Sequence, residues 1–552
     1  MQTVVKGNEQ AGSMLPTEFI GQTRGRFTRS AKHALNAAAG LLVAIAVAIL
    51  FTATIPGNAQ TTTGSIVGTI TDPAGNVIAD APVQLINEGT SVQLQATTSN
   101  ASGFYQFIDV PPGTYRIEAQ KKGFKRVSRG SILLQISANI QVNLPMQVGS
   151  STQTVMVTAS SPLIEAETVS LGAVINQRET NDLPLNGRNP MNLTYLVPSV
   201  VPLGQTSGSP TGVNPFGWGN YQIGGGMAGQ SLTYIDGAPD NTPYINLTAY
   251  IPTQDSVREF KVETNNLSAQ YGGFAGGIIN FTTKSGTSSL HGSAWEYIRN
   301  KVLNANTYFG NLAGLAKPAF TQNQYGFDVG GPVVIPHVYD GRKKTFFFAS
   351  FEGFALRQGL TITTSTPTLA ERGGNGAGAD LSALGVPIYD PTTTCGVPND
   401  PTSPACAPGT PQYQRTQFPN AVIPASKLNP TSLLYLQQFF PLPNTPGING
   451  QNNLTATAAS GGNNYQTVVH MDEQVSDKQS IDARYTYWKN HNLAVDPFHN
   501  GICANGSCAE FYRVNGFVIN DNYMLNPKTI LHLSAAICGF NTIALLTIPP
   551  SD

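Results

Sequence analysis

From Gly64 to Met146 apolar and polar residues alternate in short runs, broken by turn chemistry about every ten residues. "GSIVGTITDPAGN" reads as a strand that runs into a turn. "APVQLIN", "SVQLQATT", "GFYQFIDV", "GTYRIEAQ" and "NIQVNLPM" follow, with Pro111, Pro112 and Gly113 punctuating the middle. Tyr115, Ile117 and Ala119 alternate with Arg116, Glu118 and Gln120, so one face enters a core and the other meets water. The pattern predicts a β-sandwich of about 80 residues.

A second alternating region starts near residue 290, and its runs are longer. In "SIDARYTY" (480–487) Ile481, Ala483, Tyr485 and Tyr487 share one face, and Ser480, Asp482, Arg484 and Thr486 the other. Tyr325, Phe327 and Val329 oppose Gln324, Gly326 and Asp328 in the same way. Strands are expected near 290–300, 322–334, 344–357, 463–473, 478–490, 510–524 and 528–538. Such segments suit a membrane barrel, whose apolar side meets lipid and whose polar side faces the lumen, and also a half-buried soluble sheet. Trp295, Tyr297, Tyr485, Tyr487, Trp488 and Tyr523 lie near segment ends, as interfacial girdles do, and tilt the choice toward the membrane. From 359 to about 462 the alternation stops and Pro, Gly, Thr and Asn dominate, with a short helix expected over Pro430–Phe439. A loop of this size is the kind of element that carries ligand contacts.

Composition sharpens this picture. Charged residues make up 11% of the 552, while Gly (56) and Pro (38) are plentiful, which favours β structure with long loops over a cytosolic α/β enzyme. The net charge is −1 and no basic patch forms, so nucleic acid is excluded as a partner. Arg24, Arg26, Arg29 and Lys32 precede an uncharged apolar stretch from Ala34 to Ile55. Gly57 and Ala59 then occupy the −3 and −1 positions of a cut before Gln60. This is the order of an export signal, residues 1–59, with Met14 an alternative start and an uncleaved anchor the competing reading.

In an exported chain Cys395 with Cys406, and Cys503 with Cys508, are candidate disulfides. The seven histidines form no HxH, HxxH or HExxH pattern, so neither metal nor cofactor is expected. No GxSxG appears, Asp236-Gly237 reads as a turn, and no catalytic residue is expected. The glycine-rich "YGGFAGGIINFTTKSG" (271–286) lacks both a GxGxxG that opens a helix and a GKS or GKT ending, which argues against a phosphate cradle.

Gly68, Thr71, Asp72, Gly75, Ala81, Val83, Gly103, Tyr105, Pro111, Gly113, Tyr115, Gly123 and Phe124 carry the order "GxVxDxxGxxIxxAxVxL … SxxxGxYxFxxVPPGxYxIxAxKxGF". Residues 60–148 thereby resemble the carboxypeptidase regulatory-like domain, a transthyretin-like sandwich grouped with carbohydrate-binding-like folds, although its aromatics suit a core better than a sugar platform. Thr154, Val155, Met156, Val157, Thr158 and Ala159, within 149–160, resemble the TonB box, an extended peptide that pairs with the energising protein TonB by strand addition. A last sandwich strand or a linker would read the same way. "LPLNGRNPMNLTYLVPSV", "YIDGAPDNTPY", the segment 251–300 and "NQYGFDVGGPVV" follow in the order seen in TonB-dependent receptors of the Oar-like type.

That resemblance implies an α/β plug domain over 161–286 and the first strands of an antiparallel outer-membrane barrel over 287–552. It makes the glycine-rich stretch the plug–barrel junction. Gly272, Gly273, Gly276 and Gly277 would let the plug press its backbone on the barrel wall. Asn280 and Lys284 would lie in its last strand and Gly286 in the crossing. The implied partners are TonB, outer-membrane lipid, the barrel-assembly machinery and an extracellular ligand, a glycan among the candidates. The competing function is a secreted or surface-attached carbohydrate-binding adhesin. Receptors of this type have about 22 strands, and the chain ends in Pro549, Pro550, Ser551 and Asp552 rather than in an aromatic-terminated strand. The expectation is a truncated form that cannot close as a monomeric pore.

Overall fold

The computed structural model describes residues 62–545 apart from 151–153, 159–169, 203–220, 243–245, 247, 269, 307, 309–310, 312–315, 375, 449–450, 501–508 and 527–528. The export-signal expectation over 1–59 lies outside these residues.

Strands β1 (Gly64–Thr71), β2 (Pro82–Asn87), β3 (Gln93–Thr98), β4 (Phe104–Val110), β5 (Gly113–Ala119), β6 (Arg126–Leu134), β7 (Asn139–Gln141), β8 (Leu144–Pro145) and β9 (Thr154–Thr158) build the sandwich. One sheet runs β4-β1-β7, with β8 also on β1, and the other runs β3-β2-β5-β6-β9. Ile66, Leu85, Tyr105, Phe107, Tyr115, Ile117 and Leu134 fill the space between them. The predicted alternation holds: Tyr115, Ile117 and Ala119 are buried, while Glu118 turns outward to pair with Arg116 and Arg126. Tyr105 and Tyr115 spend their hydroxyls on the carbonyls of Val142 and Pro111. These rings are core, not a sugar platform.

A middle unit follows, with β10 (Leu171–Ile175), helix α1 (Gln177–Asp182), β11 (Val200–Pro202), β12 (Tyr221–Ile223), β13 (Leu232–Ile235), β14 (Ala238–Pro239), β15 (Val257–Asn265) and β16 (Ile278–Thr283). Asn176 caps α1 through a reciprocal box with Glu179. The sheet order is β10-β15-β16-β13-β14. Strand β16 is central, antiparallel to β15 and parallel to β13, and every one of its residues is buried. That position explains the unbroken apolar start of "IINFTT".

The third part is a seven-stranded antiparallel meander: β17 (His291–Asn300), β18 (Phe320–Pro332), β21 (Thr345–Thr364), β24 (Leu454–Ser476), β25 (Gln479–Asn492), β26 (Ala509–Asn526) and β27 (Thr529–Leu545). A short hairpin of β19 (Val334–Ile335) and β20 (Tyr339–Asp340), and the pair β22 (Gly378–Asp380) and β23 (Val422–Pro424), sit between its long strands. All seven predicted segments are strands here, and several run longer than predicted. The sheet forms a wall against which the middle unit packs: Val468, Trp488, Tyr512 and Val514 of the wall share one core with Ile235, Tyr250, Phe260 and Phe281.

The wall's inner face mixes buried polar and apolar side chains, and its outer face exposes large apolar ones. On β25, Arg484, Thr486, Trp488 and Asn490 are 5%, 3%, 2% and 0% exposed, all on the side turned to the middle unit. On the opposite side Tyr485, Phe517 and Ile537 are 42%, 44% and 74% exposed. Of the six aromatics expected in girdles, Tyr485, Tyr487 and Tyr523 keep to that outer side by register. Trp488 does not: it stacks on Tyr512 inside the shared core. Trp295 and Tyr297 also face inward, under the Arg188 guanidinium. A segment-end position does not fix the face. Parity along the strand does.

Candidate functional site

Two charged contacts join the middle unit to the wall. The first grows from "LNGRN", where Gly187 and Arg188 both take positive φ (76° and 54°) and swing the arginine out of its turn. Its guanidinium pairs with Asp255 of the middle unit, reaches Glu352 on β21 at 3.3 Å, and donates to the Tyr297 hydroxyl at 3.0 Å. It also lies over the Trp295 and Tyr297 rings at 5.3 and 4.8 Å, a cation–π arrangement. Gln324 donates to the second Glu352 oxygen at 2.9 Å, so the buried carboxylate has partners on both oxygens.

The second contact centres on Asp236. Asp236 and Gly237 form the two-residue loop between β13 and β14, both with positive φ (48° and 81°), as a type I′ hairpin requires. The sequence reading of a turn is right about the backbone and silent about the side chain. Its carboxylate accepts from the Thr283 backbone N–H at 2.8 Å, the Thr283 hydroxyl at 2.7 Å and Arg484 of β25 at 2.9 Å. The Thr283 hydroxyl lies 2.9 Å from His470 Nδ1, and His470 Nε2 lies 3.5 Å from Asp472. Asp236 and Arg484 are both buried, so each depends on the other for its compensating charge.

The sandwich adds a third set of contacts. Ile136 donates its backbone N–H to Glu259 of β15 at 2.5 Å, and Ser288 donates to the Gly89 carbonyl at 3.0 Å. Asp109 accepts from Thr63 at 2.6 Å and stands 3.6 Å from His532 of β27. Burial raises the Glu259 carboxyl above its ordinary range, opposed by the nearby Arg258 charge and by the Ile136 N–H. A cavity opens where the three parts meet, lined among others by Tyr115, Arg258, Lys344, His470, Asp472 and Asp482.

The glycines of 271–286 divide differently from the expectation. A Cβ on Gly276 would meet the Gln230 carbonyl oxygen at 2.7 Å, and one on Gly277 would meet Ile223 at 2.1 Å and the Glu263 carbonyl oxygen at 2.5 Å. Both contacts lie within the middle unit. Gly272 and Gly273 have open space around them, with Gly273 at φ +90°. The close approach to the wall is made by Gly286 instead, where a Cβ would fall 2.5 Å from the Phe347 carbonyl oxygen and 2.9 Å from that of Gly331. Asn280 is buried and donates to the Tyr271 hydroxyl at 2.8 Å, and the Lys284 N–H donates to the Ser256 carbonyl. Burial lowers the Lys284 ammonium below its usual range, against the pull of Asp255 and Asp328.

The segment read as a TonB-box-like peptide is not free-standing. Thr154, Val155, Met156, Val157 and Thr158 form β9, paired in parallel with Arg126–Gly130 of β6 at the end of the sandwich sheet. Ala159 lies outside the described residues, as do Cys503 and Cys508. Cys395 and Cys406 are joined in a disulfide.

They belong to the long loop, which is an ordered structure between β21 and β24. Helix α2 (Pro430–Phe439) occupies the predicted span, capped by Asn429. Arg372 is buried beside its C-terminus and donates to the carbonyls of Leu436, Phe440, Pro441 and Pro367. Thr366 and Asn453 close the loop base with a reciprocal pair of bonds at 2.8 and 2.9 Å.

Residues 282–547 match the family described as an outer membrane beta barrel domain, and residues 65–147 match the carboxypeptidase regulatory-like domain. The chain thus carries a region similar to outer membrane beta barrel domains, with a regulatory-like sandwich ahead of it. More particularly, it is similar to the TonB-dependent transporter Oar of Myxococcus xanthus, with 25% identity over 335 residues, 56% of this chain and 28% of that relative. The match therefore spans less than a third of the relative's length. The relative is a transporter and not an enzyme, which agrees with the expectation from the sequence. Similar solved structures include the outer membrane transporter YddB of Escherichia coli (10% identity, TM-score 0.36, 66% of this chain and 38% of that one). Another is the siderophore receptor PirA of Acinetobacter baumannii (13%, 0.37, 69% and 43%).

Proposed function

We propose that the chain is the ligand-binding and energised part of an outer-membrane TonB-dependent receptor or transporter. The observation that carries the reading is the wall's outer face, where aromatic and aliphatic side chains stand exposed while charged and amide side chains such as Arg484, Glu352 and Asn490 are buried against the middle unit. A hydrocarbon surrounding makes that exposed face favourable. The middle unit is the plug, held in the lumen by Arg188–Glu352 and Asp236–Arg484. The sandwich sits at the periplasmic end and the disulfide-bonded loop at the extracellular end, where ligand binds. The export signal is removed near Gln60, and the barrel-assembly machinery inserts the strands.

Strand β9 is the contact for TonB, which adds a strand at the sheet end and pulls on the segment leading into the plug. Main-chain hydrogen bonds provide the affinity, so Val155→Pro or Val157→Pro abolishes TonB binding while Val155→Thr is mild. Co-purification with TonB measures both, and equal losses from the two kinds of change would point to side-chain recognition. Membrane fractionation tests the wall: the chain partitions with outer membrane and needs detergent for release. Recovery in the soluble fraction would favour the adhesin instead.

A further inference from the structure

The crevice inside the long loop has the composition of a ligand site. It is lined by Thr392, Thr394, Asp400, Thr402, Tyr413 and Arg415, with Val397 and Ser403 beside them. Tyr413 is 56% exposed and sits at φ +69°, a conformation that is unfavourable for a bulky aromatic residue and persists only where surrounding structure enforces it. Enforcement comes from the Tyr413 N–H to the Cys395 carbonyl at 2.9 Å, the Cys395 N–H to the Gln414 carbonyl at 3.1 Å, and the Cys395–Cys406 disulfide. The fold thus spends strain to hold an aromatic ring in water.

Polar groups beside the ring are fixed yet incompletely used. Arg415 gives its Nε to the Thr394 hydroxyl at 3.0 Å, which orients the guanidinium and leaves its two terminal nitrogens for another acceptor. Asp400 accepts the Thr402 N–H and hydroxyl on Oδ1 at 2.9 and 2.6 Å, which leaves Oδ2. Those bonds, the side-chain one first, hold the Asp400 carboxyl below its ordinary range, so it is an anion at neutral pH. One cation and one anion line the crevice, so nothing in it selects for net charge, and its hydroxyls disfavour an apolar guest.

We infer that this crevice binds a neutral saccharide, with the C–H face of a sugar ring on Tyr413, Asp400 accepting from sugar hydroxyls and Arg415 donating to sugar oxygens. The inference rests on the receptor reading for its biological place, outside the cell, and is tested without it. The full chain in dodecyldimethylamine oxide, a detergent without a sugar head to compete, is applied to an array of neutral hexose oligosaccharides and the best binder is titrated. At least one oligosaccharide binds, and Asp400→Asn or Arg415→Gln weakens it by about tenfold.

Tyr413→Gly is the decisive variant, because glycine relieves the positive φ while deleting the ring. It keeps or raises the thermal stability of the chain and loses binding. Absence of any bound neutral oligosaccharide, retention only of charged glycans, or full affinity in Tyr413→Gly would each overturn the inference. None of these outcomes would touch the TonB and membrane-fractionation results, which test the receptor reading alone.

Discussion

The sandwich and the wall are both antiparallel-rich β structures with a period of two, and they solve opposite problems. The sandwich buries Ile66, Tyr115 and Ile117 and turns Arg116 and Glu118 to water. The wall buries Arg484, Asn490 and Glu352 and exposes Tyr485, Phe517 and Ile537. Because the local geometry is shared, the difference points to the surroundings of each outer face: water for the sandwich and, on the proposed reading, hydrocarbon for the wall. The consequence is that the wall cannot hold its inner contents by apolar burial alone. It adds ion pairs and hydrogen bonds to the apolar core it shares with the middle unit, and each of these polar contacts fails if one partner is lost.

The largest expected effect breaks such a pair. Asp236→Ala leaves Arg484 buried without its counter-charge and removes both acceptors of Thr283. A loss of about 3–5 kcal/mol from docking of the middle unit on the wall is expected. Asp236→Ala combined with Arg484→Met removes both charges and recovers much of it. Hydrogen exchange of the β16 amides in detergent reads the two variants, and equal protection in both would show that the pair does not hold the plug.

Next comes a substitution that separates the two outer faces. Phe517→Arg on the wall costs about 2–4 kcal/mol if that face meets hydrocarbon. Leu133→Arg on the sandwich, 55% exposed, stays within about 0.5 kcal/mol because water solvates it. Folding yield into vesicles compared with yield in solution measures the contrast. A harmless Phe517→Arg would remove the membrane reading of the wall.

Period-two patterning made the sandwich core and all seven wall strands legible in the sequence, because solvation is recorded residue by residue along a strand. Neighbouring residues across space are not recorded that way. Arg484 was readable as lumen-facing, but its partner Asp236 lies 248 residues earlier and was legible only as a turn. Arg188 stood inside a recognised motif without a role, since nothing local announces Glu352. Trp488 and Tyr487 are adjacent in sequence and fall on opposite faces, so counting aromatics near strand ends misplaced one of them. The β9 segment reads alike as a TonB-box-like peptide, a last sandwich strand or a linker because its five residues carry no sign of which strand they pair with, and parallel pairing to β6 is a tertiary fact.

The glycines give a smaller test of the same boundary. Gly286→Ala places a Cβ against the backbone of Phe347 and Gly331, which cannot rotate away, and costs about 1–3 kcal/mol of contact with the wall. Gly272→Ala meets nothing within 4 Å and is silent. Thermal unfolding of the two variants in detergent compares them. A silent Gly286→Ala would mean that the crossing into the wall is looser than this packing.

The smallest expected effect is a slope rather than a step. Asp240 lies in the middle unit with one oxygen accepting the Tyr250 N–H at 3.0 Å, and burial pushes its carboxyl up to about 8, against the smaller opposing effects of that bond and of the Arg484 charge. The ordinary value is 3.8, so between about pH 4 and 8 the folded chain keeps a proton that the unfolded chain has released. Folding is therefore favoured at the acid end of that window, and stability falls as pH rises through it, by at most about 1.4 kcal/mol per pH unit, flattening above 8. Asp240→Asn keeps the acceptor and cannot ionise. Subtracting its melting temperatures from those of the unaltered chain between pH 5 and pH 8 cancels the titration of Glu259 and Glu263, which burial also raises. The difference should decline steadily with pH. A flat difference would mean that water reaches Asp240 between the plug and the wall and that the contact is wetter than the sandwich core it is compared with.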